Sequence, residues 1–215
     1  MAGEFRPIVA FGKSAAKTST SSVGNAVTVI PINNGDTSYE AGDHVFISQS
    51  DDTEYQYLGV VTEAAADHVH VSLATNSDKG SSAKVWQPTT YVAFSVGPQS
   101  VMRRVRDTGT ETLVSRGGQV YGIQARDAVE RLEWGWSVGD AGDFGDFKDF
   151  ISTSRDEGLS LFTLAYYDPQ DAVGKCWIVR WGGGDLFGEL SRANPNVVRH
   201  DQVFFVTDAD GYQET

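Results

Sequence analysis

Large apolar side chains alternate with small or polar ones in residues 131–181, and this pattern limits the possible folds more than any other feature of the chain. They occupy every second position of residues 132–138, as in a strand with one buried face. Similar runs follow at residues 160–168 and 175–181. The segment contains four of the five tryptophans, so we expect a small sheet with most of the core on one face.

A short helix is predicted between the first two of these strands, at about residues 143–155. Three consecutive triplets in residues 142–150 each end in Asp-Phe. Because residues three apart are neighbours on a helix, the Phe side chains form one stripe and the Asp side chains another. The Phe stripe is predicted to pack against the sheet. The predicted core consists of Trp134, Trp136, Phe144, Phe147, Phe150, Ile151, Phe162, Leu164, Trp177, Val179 and Trp181.

Short alternating runs separated by turn residues fill residues 26–93. Five or six strands at this spacing predict a small antiparallel SH3-like or OB-like barrel. Residues 1–25 are predicted to be a flexible arm, because residues 14–22 are almost all Ser, Thr, Ala and Lys. Residues 94–207 are predicted to form the second β domain, a sandwich or barrel with the helix, and residues 208–215 a polar tail. The expected fold class is therefore mainly β.

The chain of 215 residues has a formal net charge of −12, which disfavours tight binding of nucleic acid because phosphates must be neutralised by Lys and Arg. Its single cysteine, Cys176, excludes an intrachain disulfide and a zinc site built from several cysteines. No signal-peptide core and no run of 18 apolar residues is present, so we expect a protein made in the cytoplasm without a membrane partner.

No phosphate-binding loop, nucleophile elbow or metalloprotease helix occurs in the sequence, so we predict neither catalytic residues nor a cofactor. Two groups of side chains have the residue types that bind metal ions. His68 and His70 share one face of a strand, but no third ligand is evident. The acidic stripe from Asp140 to Asp149 lies along a helix, whereas calcium requires converging oxygens. Solvated surfaces are the favoured interpretation of both.

Basic residues cluster only once, immediately before the aromatic segment, at Arg103, Arg104 and Arg106. Arg116, in the next turn, is grouped with them. These side chains are candidates for a contact between subunits, and a contribution to solubility alone is an equally open alternative. The tryptophans also have an alternative interpretation, as an exposed platform on which sugars stack, although a buried core is favoured.

Residues from about 91 to 206 resemble minor and distal tail proteins of long-tailed bacteriophages. The resemblance is carried by a turn, a hairpin tip, three strand motifs, a Phe-bearing helix and a last strand. These are residues 107–109, 115–118, 132–134, 161–164 with Asp168, 178–181, Phe147 with Phe150, and 203–206. It implies a tail-tube fold, a β-sandwich or barrel flanked by one helix, here preceded by an extra small β domain.

The resemblance further implies a structural subunit of the virion tail, assembled in the host cytoplasm into a ring of six at the distal end or tail tip. Its partners would be copies of itself and other tail proteins, and DNA would only pass through the channel. An acidic chain suits such a conduit, because like charges repel. The alternatives are a carbohydrate- or receptor-binding module of the virion and a head-completion or decoration protein.

Overall fold

The computed structural model describes residues 6–33, 38–98, 103–107, 110–114, 120–124, 129–154, 160–184, 189–190, 196–209 and 211–214. It confirms a mainly β fold with one short helix, as the alternating pattern predicts. The strands are β1 (Ile8–Lys13), β2 (Lys17–Thr18), β3 (Val29–Pro31), β4 (His44–Ser48), β5 (Gln56–Ala64), β6 (His68–Val71), β7 (Lys84–Trp86), β8 (Pro88–Ala93), β9 (Arg103–Asp107), β10 (Thr110–Val114), β11 (Val120–Gln124), β12 (Val129–Asp140), β13 (Phe162–Asp168), β14 (Val173–Gly184), β15 (Glu189–Leu190) and β16 (Val197–Ala209).

The strands form two main antiparallel sheets. The large sheet has the order β8-β1-β13-β14-β16-β12-β9, and β15 pairs with β16. The small sheet has the order β2-β7-β4-β5-β6-β3. A backbone bridge between Ser19 and Ile32 joins its two ends, so the small sheet curls into a barrel. The remaining strands, β10 and β11, form a separate hairpin.

The barrel is inserted into the large sheet's chain and does not precede it. Strands β1 and β8 are neighbours in the large sheet, and the whole barrel lies between them in sequence. This corrects the predicted boundaries: β1 belongs to the aromatic-rich unit, and the barrel begins near residue 17 instead of residue 26.

The flexible arm predicted for residues 1–25 is also wrong where the structure describes it. Ile8, Val9 and Ala10 are at most 1% exposed and pair with β13 and β8. Farther along, Val23 packs in the barrel core. A Ser/Thr-rich composition predicts little side-chain burial, but it does not prevent backbone pairing such as that of Lys17 with Val85.

One helix covers the aromatic face of the large sheet. Helix α1 (Ala141–Asp149) begins at Asp140, whose carboxylate accepts hydrogen bonds from the backbone N–H of Gly142 (2.8 Å) and Asp143 (3.2 Å). A single π-turn at Phe150–Ser154 follows it. The helical stretch therefore starts two residues before the predicted position.

Helix α1 and the large sheet enclose the aromatic core. Of the predicted core residues, all but Trp181 are buried, and Trp181 is half-buried against the same cluster. The ring of Phe204 contacts those of Trp134 and Phe147 edge to face, an arrangement that aromatic quadrupoles favour. Phe204, Phe94 and Val9 join this core from outside the predicted set.

The barrel docks on the opposite face of the large sheet through a second apolar cluster. Ala165 and Cys176 of the sheet meet Phe46 and Trp86 of the barrel. The predicted polar tail takes part in this joint, because Tyr212 is only 4% exposed and its hydroxyl donates a hydrogen bond to the Gly12 carbonyl at 2.8 Å. Residues 211–214 are therefore docked on the protein, contrary to the prediction of a polar tail.

Candidate functional site

The barrel covers only part of the large sheet, and the other part of that face is exposed around Phe205. Phe205 of β16 is 37% exposed. Arg131 of β12 and Arg180 of β14 are its direct partners in register on the two sides. We call Arg131, Arg180, Gly182 and Phe205 the Arg–Phe patch.

Gly182 makes room for the ring of Phe205. A Cβ atom at Gly182 would lie 2.8 Å from a ring carbon of Phe205, closer than two carbons approach in proteins. The bare backbone at this position therefore lets the ring lie against the neighbouring strand. The patch combines an accessible aromatic surface with two arginines, a composition that is enriched at protein interfaces. Arg131 is ion-paired with Glu133 at 2.8 Å, and Arg180 is exposed.

Acidic side chains lie on the helix that covers the other face of the sheet. Asp140 caps α1, and Asp143 accepts hydrogen bonds from the backbone N–H and the hydroxyl of Ser95, both at 2.6 Å. Asp146 and Asp149 are exposed. Within the described part of the chain, no three His, Cys, Asp or Glu side chains come together as a metal would require. The stripe thus divides into structural acids and a solvated negative surface.

The large sheet has two edges without a second partner among the described strands, β8 and β9. In β9, which carries the basic cluster, Arg103 lies opposite Glu133, Arg104 opposite Leu132 and Arg106 opposite Glu130. The side chain of Arg106 is exposed, and Arg116 lies outside the described residues. The basic cluster is therefore located on an edge strand.

Hairpin β10–β11 pairs only with itself among the described strands. An isolated two-stranded ribbon has marginal stability in water and is normally held by packing against something else. Among the described strands, the hairpin and the edge strands β8 and β9 each have one side without a strand partner, and such sides can pair with another chain.

A cleft of about 620 Å³ lies where the barrel meets the large sheet. Its walls include Ile8, Phe94 and Tyr167 from the large sheet and His44 and Tyr57 from the barrel. Among the described residues that line it there is no carboxylate and no cysteine. The lining is therefore largely apolar and aromatic, and its polar members are the guanidinium of Arg6 with phenol, serine and imidazole groups.

Burial also perturbs the imidazole of His44, one of the polar groups in this cleft. Burial lowers the pKa of its imidazole from 6.5 to about 4, and the carboxylate of Asp43 offsets part of that effect. Its Nδ1 is hydrogen-bonded to the Tyr57 hydroxyl at 2.6 Å, and its ring meets that of Tyr91 at 4.9 Å. His44 is thus a neutral structural contact between barrel and sheet at neutral pH.

We expect stability to fall with acid because of His44. The unfolded state binds the proton near pH 6.5 and the folded state only near pH 4, so the contribution is complete above pH 6.5. This contribution to the free energy of unfolding is lost as the pH falls toward 4, and the loss is at most about 3 kcal/mol. Denaturant unfolding at pH 7 and pH 4.5 measures it.

The control is His44→Gln, which removes the titrating group. Its free energy of unfolding should change much less between the same two pH values. The pKa of Asp52 is lowered, chiefly by its hydrogen bond with Lys84. Its contribution to stability is therefore lost only below the ordinary Asp pKa of 3.8, outside the pH range of this comparison. An equal loss in variant and wild type would contradict the assignment to His44.

The tryptophans do not form an exposed platform. Trp86, Trp134, Trp136 and Trp177 are at most 4% exposed. Trp181 is half-buried and donates a hydrogen bond to the Gln202 side chain at 2.9 Å. The described tryptophan side chains therefore pack in the protein core or against it.

Two features of the candidate sites are absent from the sequence-based prediction. Arg131, Arg180 and Phe205 lie far apart in the chain, and only strand register brings them together. Likewise, the cleft depends on how the inserted barrel docks. The one available signal was Phe204-Phe205, because two adjacent aromatic residues in a strand must point to opposite faces.

These features define a mainly β protein with a barrel inserted into a larger, helix-covered sheet. Two edge strands of that sheet have no second partner among the described strands, and Phe205 of the Arg–Phe patch is exposed. No protein-family model matches the chain, and no curated protein matches it significantly. Among the described residues, no helix is long and apolar enough to cross a membrane.

Proposed function

We propose that this protein is a non-enzymatic structural subunit of a bacteriophage tail, at the distal end or tail tip. It assembles with copies of itself into a ring and connects the tail tube to tip or peripheral proteins. The observation that carries the proposal is the set of unsatisfied pairing surfaces on the larger unit: two sheet edges and a separate hairpin among the described strands.

Edge strands promote pairing with other chains unless they are covered, and a ring of subunits covers them. Hairpin β10–β11 lies between β9 and β12 in the chain, so one protomer offers both a ribbon and sheet edges that can receive a strand. Such head-to-tail contacts generate rings when the rotation between subunits closes.

Charge also supports self-assembly. The chain carries a net charge of −12, yet the Arg–Phe patch presents the exposed cation Arg180 beside Phe205, while Arg131 on the other side is ion-paired with Glu133. On the helix side of the sheet, Asp146 and Asp149 are exposed. Exposed acids on one side of the protomer and the exposed Arg180 on the other suit a head-to-tail contact between neighbours.

A carbohydrate-binding module of the virion is the rival function. It requires accessible aromatic faces, and four of the five tryptophans are at most 4% exposed. Titration with oligosaccharides while tryptophan fluorescence is monitored separates the two proposals. We expect no saturable quenching, whereas saturable quenching would favour the rival.

The contribution of the Arg–Phe patch to assembly is tested with Phe205→Asp, which places a negative charge between Arg131 and Arg180. We expect the variant to sediment as a smaller species than the wild type at the same concentration. Val29→Asp is the matched control, because Val29 is 39% exposed but lies in the barrel. If the two variants assemble equally well, the patch is not an assembly surface.

A further inference from the structure

Two histidines lie side by side on the solvent-facing side of barrel strand β6. Val69 between them is completely buried in the barrel core, so His68 and His70 point to the opposite side. The side chain of His68 is 33% exposed. Their ring centroids are 5.0 Å apart, with the ring planes inclined by 58°.

Asp67 orients the first of these imidazoles. Its Oδ1 lies 2.7 Å from Nδ1 of His68. A carboxylate only accepts hydrogen bonds, so Nδ1 carries the proton, and in the neutral imidazole Nε2 then has the lone pair. A carboxylate that accepts from the remote nitrogen of an imidazole is the usual support of a metal-binding histidine, since it fixes the tautomer and raises the basicity of the ligand.

The spacing of the rings fits a shared ion. Two imidazoles that bind one tetrahedral ion through nitrogens at roughly 2.0–2.1 Å place their ring centroids about 5 Å apart. The observed separation is 5.0 Å. Glu63 of β5 lies opposite His70 in register and is exposed, so its negative charge further favours a cation at this surface.

We propose that His68 and His70 form a binding site for a divalent transition-metal ion. Nitrogen ligands select this class of ion over Ca²⁺ and Mg²⁺, and Cu²⁺ binds tightest in the general order of affinity. Among the described residues no third His, Cys, Asp or Glu joins the pair, so water completes the coordination. The ion is therefore exchangeable, with open positions that a group from another molecule can occupy.

The test uses untagged, metal-free protein titrated with Cu²⁺ at pH 7.5, followed by calorimetry and electron paramagnetic resonance. We expect one ion per chain and hyperfine coupling to two imidazole nitrogens. His68→Ala and His70→Ala should each lower the affinity at least about tenfold. Asp67→Asn should lower it by about 10-fold or more while both nitrogen couplings remain, because Asp67 acts through His68.

His200→Ala is the matched control, since His200 lies on β16 of the large sheet and its removal should leave the affinity unchanged. The variants keep the barrel core, so circular dichroism without metal should match the wild type. The proposal is overturned if the His68→Ala/His70→Ala double variant binds Cu²⁺ as tightly as the wild type, or if the wild type shows no stoichiometric binding.

Discussion

Phe147→Ala should lower the free energy of unfolding by about 3–5 kcal/mol, the usual cost of removing a large aromatic side chain from a core. Phe147 is completely buried and contacts the rings of Phe94 and Phe204. Its loss opens a cavity between α1 and the large sheet that the rigid sheet cannot close. Urea unfolding followed by far-ultraviolet circular dichroism measures the change.

Phe205→Ala is the matched control for this experiment. It removes the same side chain from the same sheet, but from a position that is 37% exposed on the opposite face. We expect a change of about 0.5 kcal/mol or less. Equal destabilisation by the two substitutions would mean that α1 and the sheet do not enclose the principal core.

Gly174→Ala is expected to destabilise the joint between barrel and sheet by about 3 kcal/mol or more, at the upper end of the cost of overpacking. A Cβ atom at Gly174 would lie 1.8 Å from the carbonyl oxygen of Tyr57 and 2.8 Å from its carbon. Because the clash is with backbone, no side-chain rotation relieves it, and β14 must separate from β5. Thermal unfolding followed through tryptophan fluorescence measures the loss.

Gly145→Ala is the control, because a Cβ atom at this helical position meets nothing within 4 Å. There the substitution should stabilise the protein by about 0.5–1 kcal/mol through the better helix propensity of alanine. If Gly174→Ala were as stable as the wild type, the close approach of β14 to the barrel would be absent in solution.

Periodicity identified the elements of the aromatic unit because each strand buries one face, which places large side chains on alternate residues. The same logic placed Phe147 and Phe150 on the buried side of the helix. The local pattern does not show which strands pair with each other, however. Ile8 pairs with Ala165, and nothing in a four-residue apolar run near the start of the chain identifies that distant partner.

The insertion of the barrel was missed for the same reason. In sequence, β1 and β8 appear as parts of an arm and of a barrel, and only their mutual pairing assigns them to the large sheet. The proposed metal site shows the opposite case. The sequence shows that His68 and His70 alternate with Val69. It does not show the hydrogen bond from His68 to Asp67, which orients the imidazole as a ligand and is a feature of the folded structure.

Self-assembly of the larger unit is the central claim, and the mass and shape of the purified protein test it most directly. Mass photometry and negative-stain imaging at low ionic strength should show a ring with a central hole that weakens at high salt, because screening reduces the contact between the Arg–Phe patch and acidic surfaces. A persistent monomer at every concentration and ionic strength would contradict the account.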